Sequence, residues 1–220
     1  MIIGRGRLYF TCGSMKGQMF LILSIVIIVI LVMLKSGLNL TKIMENKQYM
    51  ESGLERMEFQ NIKGEMEKTI QVCYNQGNMS DCLDDFFKFS KNSLKARAVD
   101  LSGYLVKSAY SYPETSPQLN VSVFNGLGAE MNTLNLTLNS SSQMFKSIQD
   151  VSSISTTFSI NPNSDYVLTV FYNTSYENKT DTVAIPVSSG KGKLITFFDL
   201  KMVSNRVEYR DKFTKTINLP

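Results

Sequence analysis

Few residues in this chain are of a type and spacing that could do chemistry, and one type is missing altogether. Histidine, the commonest general base and a standard zinc ligand, does not occur among the 220 residues. That excludes Ser-His-Asp and Cys-His arrangements. Asp84 and Asp85 are adjacent, so on a helix their side chains diverge by about 100°. They read as first-turn acids favoured by the helix dipole rather than as an acid-base pair. Gly190-Lys191-Gly192-Lys193 lacks the spacing and the following helix of a phosphate loop, and reads as a basic hairpin turn. Arg206, Arg210, Lys212 and Lys215 form a modest basic stretch whose default place is a solvated strand face. The chain is expected to be non-enzymatic, with no cofactor and no metal.

Cysteine and asparagine carry more information. Cys73 and Cys82 lack the C-x-x-C spacing and the partner ligands of a redox or metal pair, and suit a structural disulfide clipping a short loop. Asn39, Asn78, Asn120, Asn135, Asn139, Asn173 and Asn178 each open an N-x-S/T sequon, the acceptor signature for N-glycosylation. Tyr104, Tyr110 and Tyr112 are expected to edge a junction between two parts of the chain.

The element that must position all of these lies near the N-terminus. From Met19 to Leu34 the only polar residue is Ser24. That uncharged run gives about 24 Å of helix, short of a hydrocarbon core of roughly 30 Å. Lys35 can snorkel, and Leu38 and Leu40 extend the apolar character, so a span over residues 18–40 is long enough. Arg5, Arg7 and Lys16 precede it without an acid, whereas Lys35 and Lys42 are offset by Glu45 and Glu51. The positive-inside rule then places the N-terminus in the cytoplasm and residues from about 36 onward outside the cell. All seven sequons, Cys73 and Cys82 fall on that outer side, and Cys12 alone falls on the reducing side. The expected localisation is the cell membrane, single-pass, with the bilayer as first partner. A net charge of +4 from 23 basic and 19 acidic residues, without clustering, argues against a nucleic-acid partner.

The residues just before the apolar run, Ser14-Met15-Lys16-Gly17-Gln18, resemble the class III signal peptide of archaeal type IV pilin-like proteins. The resemblance implies cleavage between Gly17 and Gln18 by a prepilin peptidase on the cytoplasmic face, with Lys16 marking the interface. Cutting before the run leaves the helix on the mature protein, as an anchor or as the core of a filament with other pilin-like subunits. A secretory cleavage site of the A-x-A kind is absent after the run. One departure stands out. Many pilins carry glutamate at the fifth mature position, and here that position is Ile22. A minor pilin, a pilin-like surface protein and an unassembled anchor are then as open as a major subunit. The alternative of another class is an unprocessed, anchored accessory subunit of a membrane or secretion complex.

Beyond the span, Ile43, Met50, Leu54, Met57, Ile62, Met66 and Ile70 form an amphipathic helical stripe, expected to pack on its own domain. Gly77 suits a helix C-cap, and Ser80 or Asp81 can cap a second helix whose buried face is predicted as Phe86, Phe87, Leu94, Ala98, Leu101 and Leu105. After Tyr112-Pro113-Glu114-Thr115-Ser116-Pro117 the pattern changes to seven short β-rich runs, from LNVSVFN to RVEYRDKF, with a hairpin through TSYENKTD. The predicted fold class is α+β: a membrane helix continuing into an amphipathic helix, a second helix, then an antiparallel β-sandwich-like domain. The predicted segments are a cytoplasmic leader 1–17, the span 18–40, an extracellular helical region 41–112 and a β-rich domain 118–220.

Overall fold

A computed structural model describes residues 15–75, 79–111, 117–162, 164–187, 192–204 and 207–219. Helix α1 runs unbroken from Met15 to Asn75, a stretch of 61 residues without proline. Gly37, Gly53 and Gly64 lie within it and interrupt nothing. The chain divides into two units, Met1–Gly53 and Leu54–Pro220, and α1 contributes to both.

In the first unit the described side chains of α1 are turned outward. Ile22–Lys47 is long and apolar enough to cross a membrane; its most apolar 18 residues have a mean hydropathy of 2.4, and none of them is buried. Its 26 residues give about 39 Å of helix, more than a hydrocarbon core requires. In the second unit α1 is one-sided: Phe59, Met66, Ile70 and Cys73 are buried, while Leu54 and Met57 remain exposed. The predicted stripe therefore packs on its own domain only in its C-terminal part, with Ile62 half-buried, and Ile43 and Met50 are exposed as well. Periodicity reports that a helix has an apolar face, not what covers it.

Helix α2 (Met79–Lys95) buries Leu83, Phe87 and Leu94, carries Asp81 in its first turn and ends in a turn where Ala98 takes φ 58°. Strand β1 (Asp100–Tyr110) follows at once. This corrects the helix predicted to reach Leu105. Leu94, Ala98, Leu101 and Leu105 recur at four, three and four residues, which fits a helix; but 101 and 105 also share one face of a strand, and no Gly or Pro marks the change. Helix thus gives way to strand at residues 96–99, ahead of the Pro-rich segment, most of which lies outside the described residues.

Eight further strands follow: β2 (Gln118–Gly126), β3 (Met131–Leu138), β4 (Ser141–Ile148), β5 (Ser152–Ser159), β6 (Asp165–Thr174), β7 (Asn178–Pro186), β8 (Lys193–Val203) and β9 (Glu208–Asn218). They form a five-stranded sheet in the order β5-β2-β1-β8-β9 and a four-stranded sheet in the order β4-β3-β6-β7, with antiparallel pairing throughout. The α+β sandwich expected from the sequence is the fold. Two strands escaped prediction: β1, for the reason above, and β4 (SSQMFKSI), whose exposed, mostly polar residues lack an alternating apolar face. The predicted hairpin exists as β6–β7, but Asn178–Asp181 belongs to β7 and the turn is tighter, with Thr174 N–H donating to the Glu177 carbonyl at 2.9 Å.

Alternation divides the core in two. Between the sheets lie Tyr104, Val106, Val121, Val123, Leu134, Leu136, Val170, Tyr172 and Phe197. Under the helices lie Leu101, Leu105, Phe124, Phe198, Leu200 and Met202, packed against Phe59, Met66, Ile70, Leu83 and Phe87. Strands β1 and β8 are buried on both faces, so they read as near-continuous apolar runs. Tyr104 and Tyr110 sit in the inter-sheet core, not at a junction; Tyr112 lies outside the described residues.

Candidate functional site

Lys16, Gly17 and Gln18 occupy the first turn of α1, which begins at Met15, and only their backbone is described. Cys12, Asn78, Gly190, Lys191 and Arg206 lie outside the described residues. Cys73 and Cys82 form a disulfide with Cα atoms 5.7 Å apart, joining the end of α1 to the first turns of α2. The bond crosses the short loop between the two helices.

The sequon asparagines separate into groups. Asn39 is exposed on α1, and Asn120 is exposed on β2. Asn135, Asn173 and Asn178 share the outward face of the four-stranded sheet, and Asn139 follows at the end of β3 with φ 50°. Asn173 Nδ2 donates to Asn178 Oδ1, and Asn132 Nδ2 donates to Asn173 Oδ1 at 3.2 Å. Asn135 Oδ1 instead accepts a hydrogen bond from the Ser142 hydroxyl at 2.6 Å.

A cluster of charged groups lies where β6 and β7 face β8 and β9. Asp199, 2% exposed, accepts from Arg210 Nε at 3.0 Å and Nη2 at 3.1 Å, and from the Lys179 ammonium. Asp181 accepts from the Tyr104 hydroxyl and from Lys212, and the Tyr172 hydroxyl donates to Glu177 at 2.8 Å. An open cavity of about 450 Å³ adjoins this seam, lined in part by Glu177, Asp199, Lys201 and Arg210. Burial raises the Asp199 carboxyl to about 7, against the pull of Lys212 and with help from the carboxylates of Asp181 and Glu177. Burial also pushes the Tyr104 and Tyr172 hydroxyls far above their ordinary range.

A carboxyl near 7 beside a cavity has the proton affinity of a general acid or base. Both oxygens of Asp199, however, are engaged by cations from β7 and β9. That geometry makes it an ionic tie between the two sheets. The basic stretch predicted to be solvated is drawn into such ties: Arg210 pairs with Asp199, Lys212 with Asp181, and Lys215 reaches Glu67 of α1 at 3.5 Å.

Asp84 is also more than a first-turn acid. It is 5% exposed and accepts from Lys107 Nζ at 2.6 Å and from the Ser153 hydroxyl, so it fixes α2 to β1 and β5. Burial lowers the Lys107 ammonium below its usual value, against the attraction of Asp84. Asp85 is exposed and meets only Lys88 among the described residues, at 3.5 Å. Sequence reasoning missed both buried pairs, although a signal exists: Lys107 in YLVKSAY and Asp199 in TFFDLKM are charges inside apolar runs, and such charges demand partners.

The fold thus defines an α+β protein with a helix-covered antiparallel sandwich and one N-terminal helix apolar enough to cross a membrane. No protein-family model matches the chain, and its sequence is not significantly similar to that of any curated protein.

Proposed function

We propose that this is a single-pass, membrane-anchored surface protein of the pilin-like kind, processed between Gly17 and Gln18 and displaying its sandwich outside the cell. The observation that carries the proposal is the division of labour along α1. One uninterrupted helix is apolar and exposed over Ile22–Lys47, and farther along it is one-sided, with Phe59, Met66 and Ile70 packed beneath a sheet. The first stretch suits lipid or the helices of neighbouring subunits, and the second is rooted in a folded domain. Lys16-Gly17-Gln18, immediately before the apolar stretch, fits a prepilin peptidase as processing partner. The role is structural: anchoring, assembly with other pilin-like subunits, and presentation of a glycosylated β-domain.

Mass spectrometry of the N-terminus of membrane-extracted protein tests it. Loss of residues 1–17, leaving Gln18 first, is expected. Recovery of intact Met1 and Cys12 would sink the pilin reading. It would favour an unprocessed accessory subunit of a membrane or secretion complex.

A further inference from the structure

The outer face of the four-stranded sheet is nearly free of charge, and its exposed apolar side chains surround one sequon. Register aligns Lys146, Thr133, Asn173 and Asn178 in one row across the sheet, then Met144, Asn135, Phe171 and Thr180, then Ser142, Thr137, Thr169 and Thr182. Lys146 is the one charge in these three rows. Asn135 lies directly between Met144, 62% exposed, and Phe171, 36% exposed. Residues opposed in this way hold their Cβ atoms about 5 Å apart. No protein segment among the described residues covers them.

We propose that Asn135 carries an N-linked glycan whose first sugars lie on Met144 and Phe171, so that the sugar completes this face of the sandwich. The inference rests on the reading that the domain is displayed outside the cell. Three observations carry it. The amide is correctly oriented: Ser142 holds Oδ1, and no hydrogen bond from Nδ2 is found among the described residues. The sequon is correctly presented, because the two-residue period of a strand puts Asn135 and Thr137 on the same face. Both are bridged by Ser142, whose hydroxyl is 3.3 Å from that of Thr137. The occupant is chemically matched: a pyranose offers a C–H face to an aromatic ring and a thioether, and hydroxyls to the surrounding Thr and Asn. A sheet face with one charge in three rows and exposed Met and Phe is an association hazard unless something covers it.

Attachment requires a lipid-linked oligosaccharide as co-reactant. Asn135 Nδ2 attacks the anomeric carbon of its first sugar, and the N-glycosidic bond forms. The bond from that carbon to the phosphate oxygen breaks, the lipid phosphate leaves with the electron pair, and Nδ2 loses one proton. Asn173 is a poorer acceptor in the fold, because its Nδ2 is already donated to Asn178.

Glycopeptide mapping of the full chain extracted from its native membrane, together with protease treatment of intact cells, tests the proposal. The peptide bearing Asn135 should carry a sugar mass that is lost in Asn135→Gln and Thr137→Ala but kept in Thr137→Ser. Asn135→Gln should also raise binding of a hydrophobic fluorescent dye severalfold, and adding Phe171→Ser should return it to the wild-type level. A bare Asn135 on a domain that the protease reaches from outside overturns the glycan alone. A domain that the protease cannot reach overturns the surface reading and the glycan with it. Loss of the sugar with no change in dye binding overturns its seating on Met144 and Phe171.

Discussion

The two sheets of the sandwich share one core yet turn different outer faces to their surroundings. On the five-stranded sheet the outer face is apolar, and Phe124, Phe198 and Leu200 pack under Phe59, Ile70 and Phe87 of the helices. On the four-stranded sheet it is Thr and Asn, with Met144, Val167 and Phe171 exposed among them. The strands themselves record this difference. In β8 seven consecutive residues are buried, whereas β3 alternates strictly between buried and half-buried from Leu134 to Leu138. A strand's composition therefore reports how many of its faces are covered, and only the covered sheet needs helices to be stable.

The sharpest way to break the contrast is a truncation beneath the helices. Phe198 is fully buried and stacked on Phe213 with ring centroids 4.6 Å apart. Phe198→Ala is expected to lower the unfolding free energy of the detergent-solubilised chain by about 3–5 kcal/mol in denaturant titration. A loss under about 1 kcal/mol would mean that the helices do not seal this face.

Next in size is the clip between the helices that form the cover. Replacing Cys73 and Cys82 by alanine together should cost about 2–3 kcal/mol, on the entropy of closing a short loop. Thermal melts with and without reductant on the wild type provide the control, and an unchanged midpoint would show that α2 holds its place without the bond.

The ionic seam between the sheets predicts a pH effect of definite sign. Asp199 titrates at about 7 in the fold against an ordinary 3.8, so the folded chain holds its proton to higher pH than the unfolded chain does. Burying the carboxylate costs more than its cation partners return, so the contribution of Asp199 is full when it is protonated, below 3.8, and declines as pH rises through 7. Melting temperature measured across that window should fall with pH, less steeply in Asp199→Asn; a steeper fall in the variant would contradict the assignment.

The smallest effect belongs to the open face. Thr169→Ala, in the middle of the four-stranded sheet and away from both cores, should shift stability by no more than about 0.5 kcal/mol. A larger loss would reveal that this face packs against something besides solvent and the proposed glycan.

Much of the architecture was legible in the chain because local pattern and tertiary role coincide. TLNLTLN alternates and became β3; KLITFFDLKMV is mostly apolar on both faces and became a central strand; MFLILSIVIIVILVML is too uniformly apolar for any domain of this size to bury, and its apolar residues from Ile22 to Leu34 are exposed. Where pattern served two structures equally, prediction failed, as at Leu101 and Leu105. Where it served none, as in β4, the strand exists because β3 offers it an edge and a register.

Sequence alone thus determined the apolar helix, the α+β class, the number of cysteines and the positions of the sequons, since each depends on residue type and short spacing. Tertiary structure decided which charges are buried and with whom, as in Asp84 with Lys107 and Asp199 with Lys179 and Arg210. It also decided that Asn135 stands between Met144 and Phe171. Those neighbours lie on other strands, and sheet register is set by the packing of the whole core rather than by any stretch of chain that contains them.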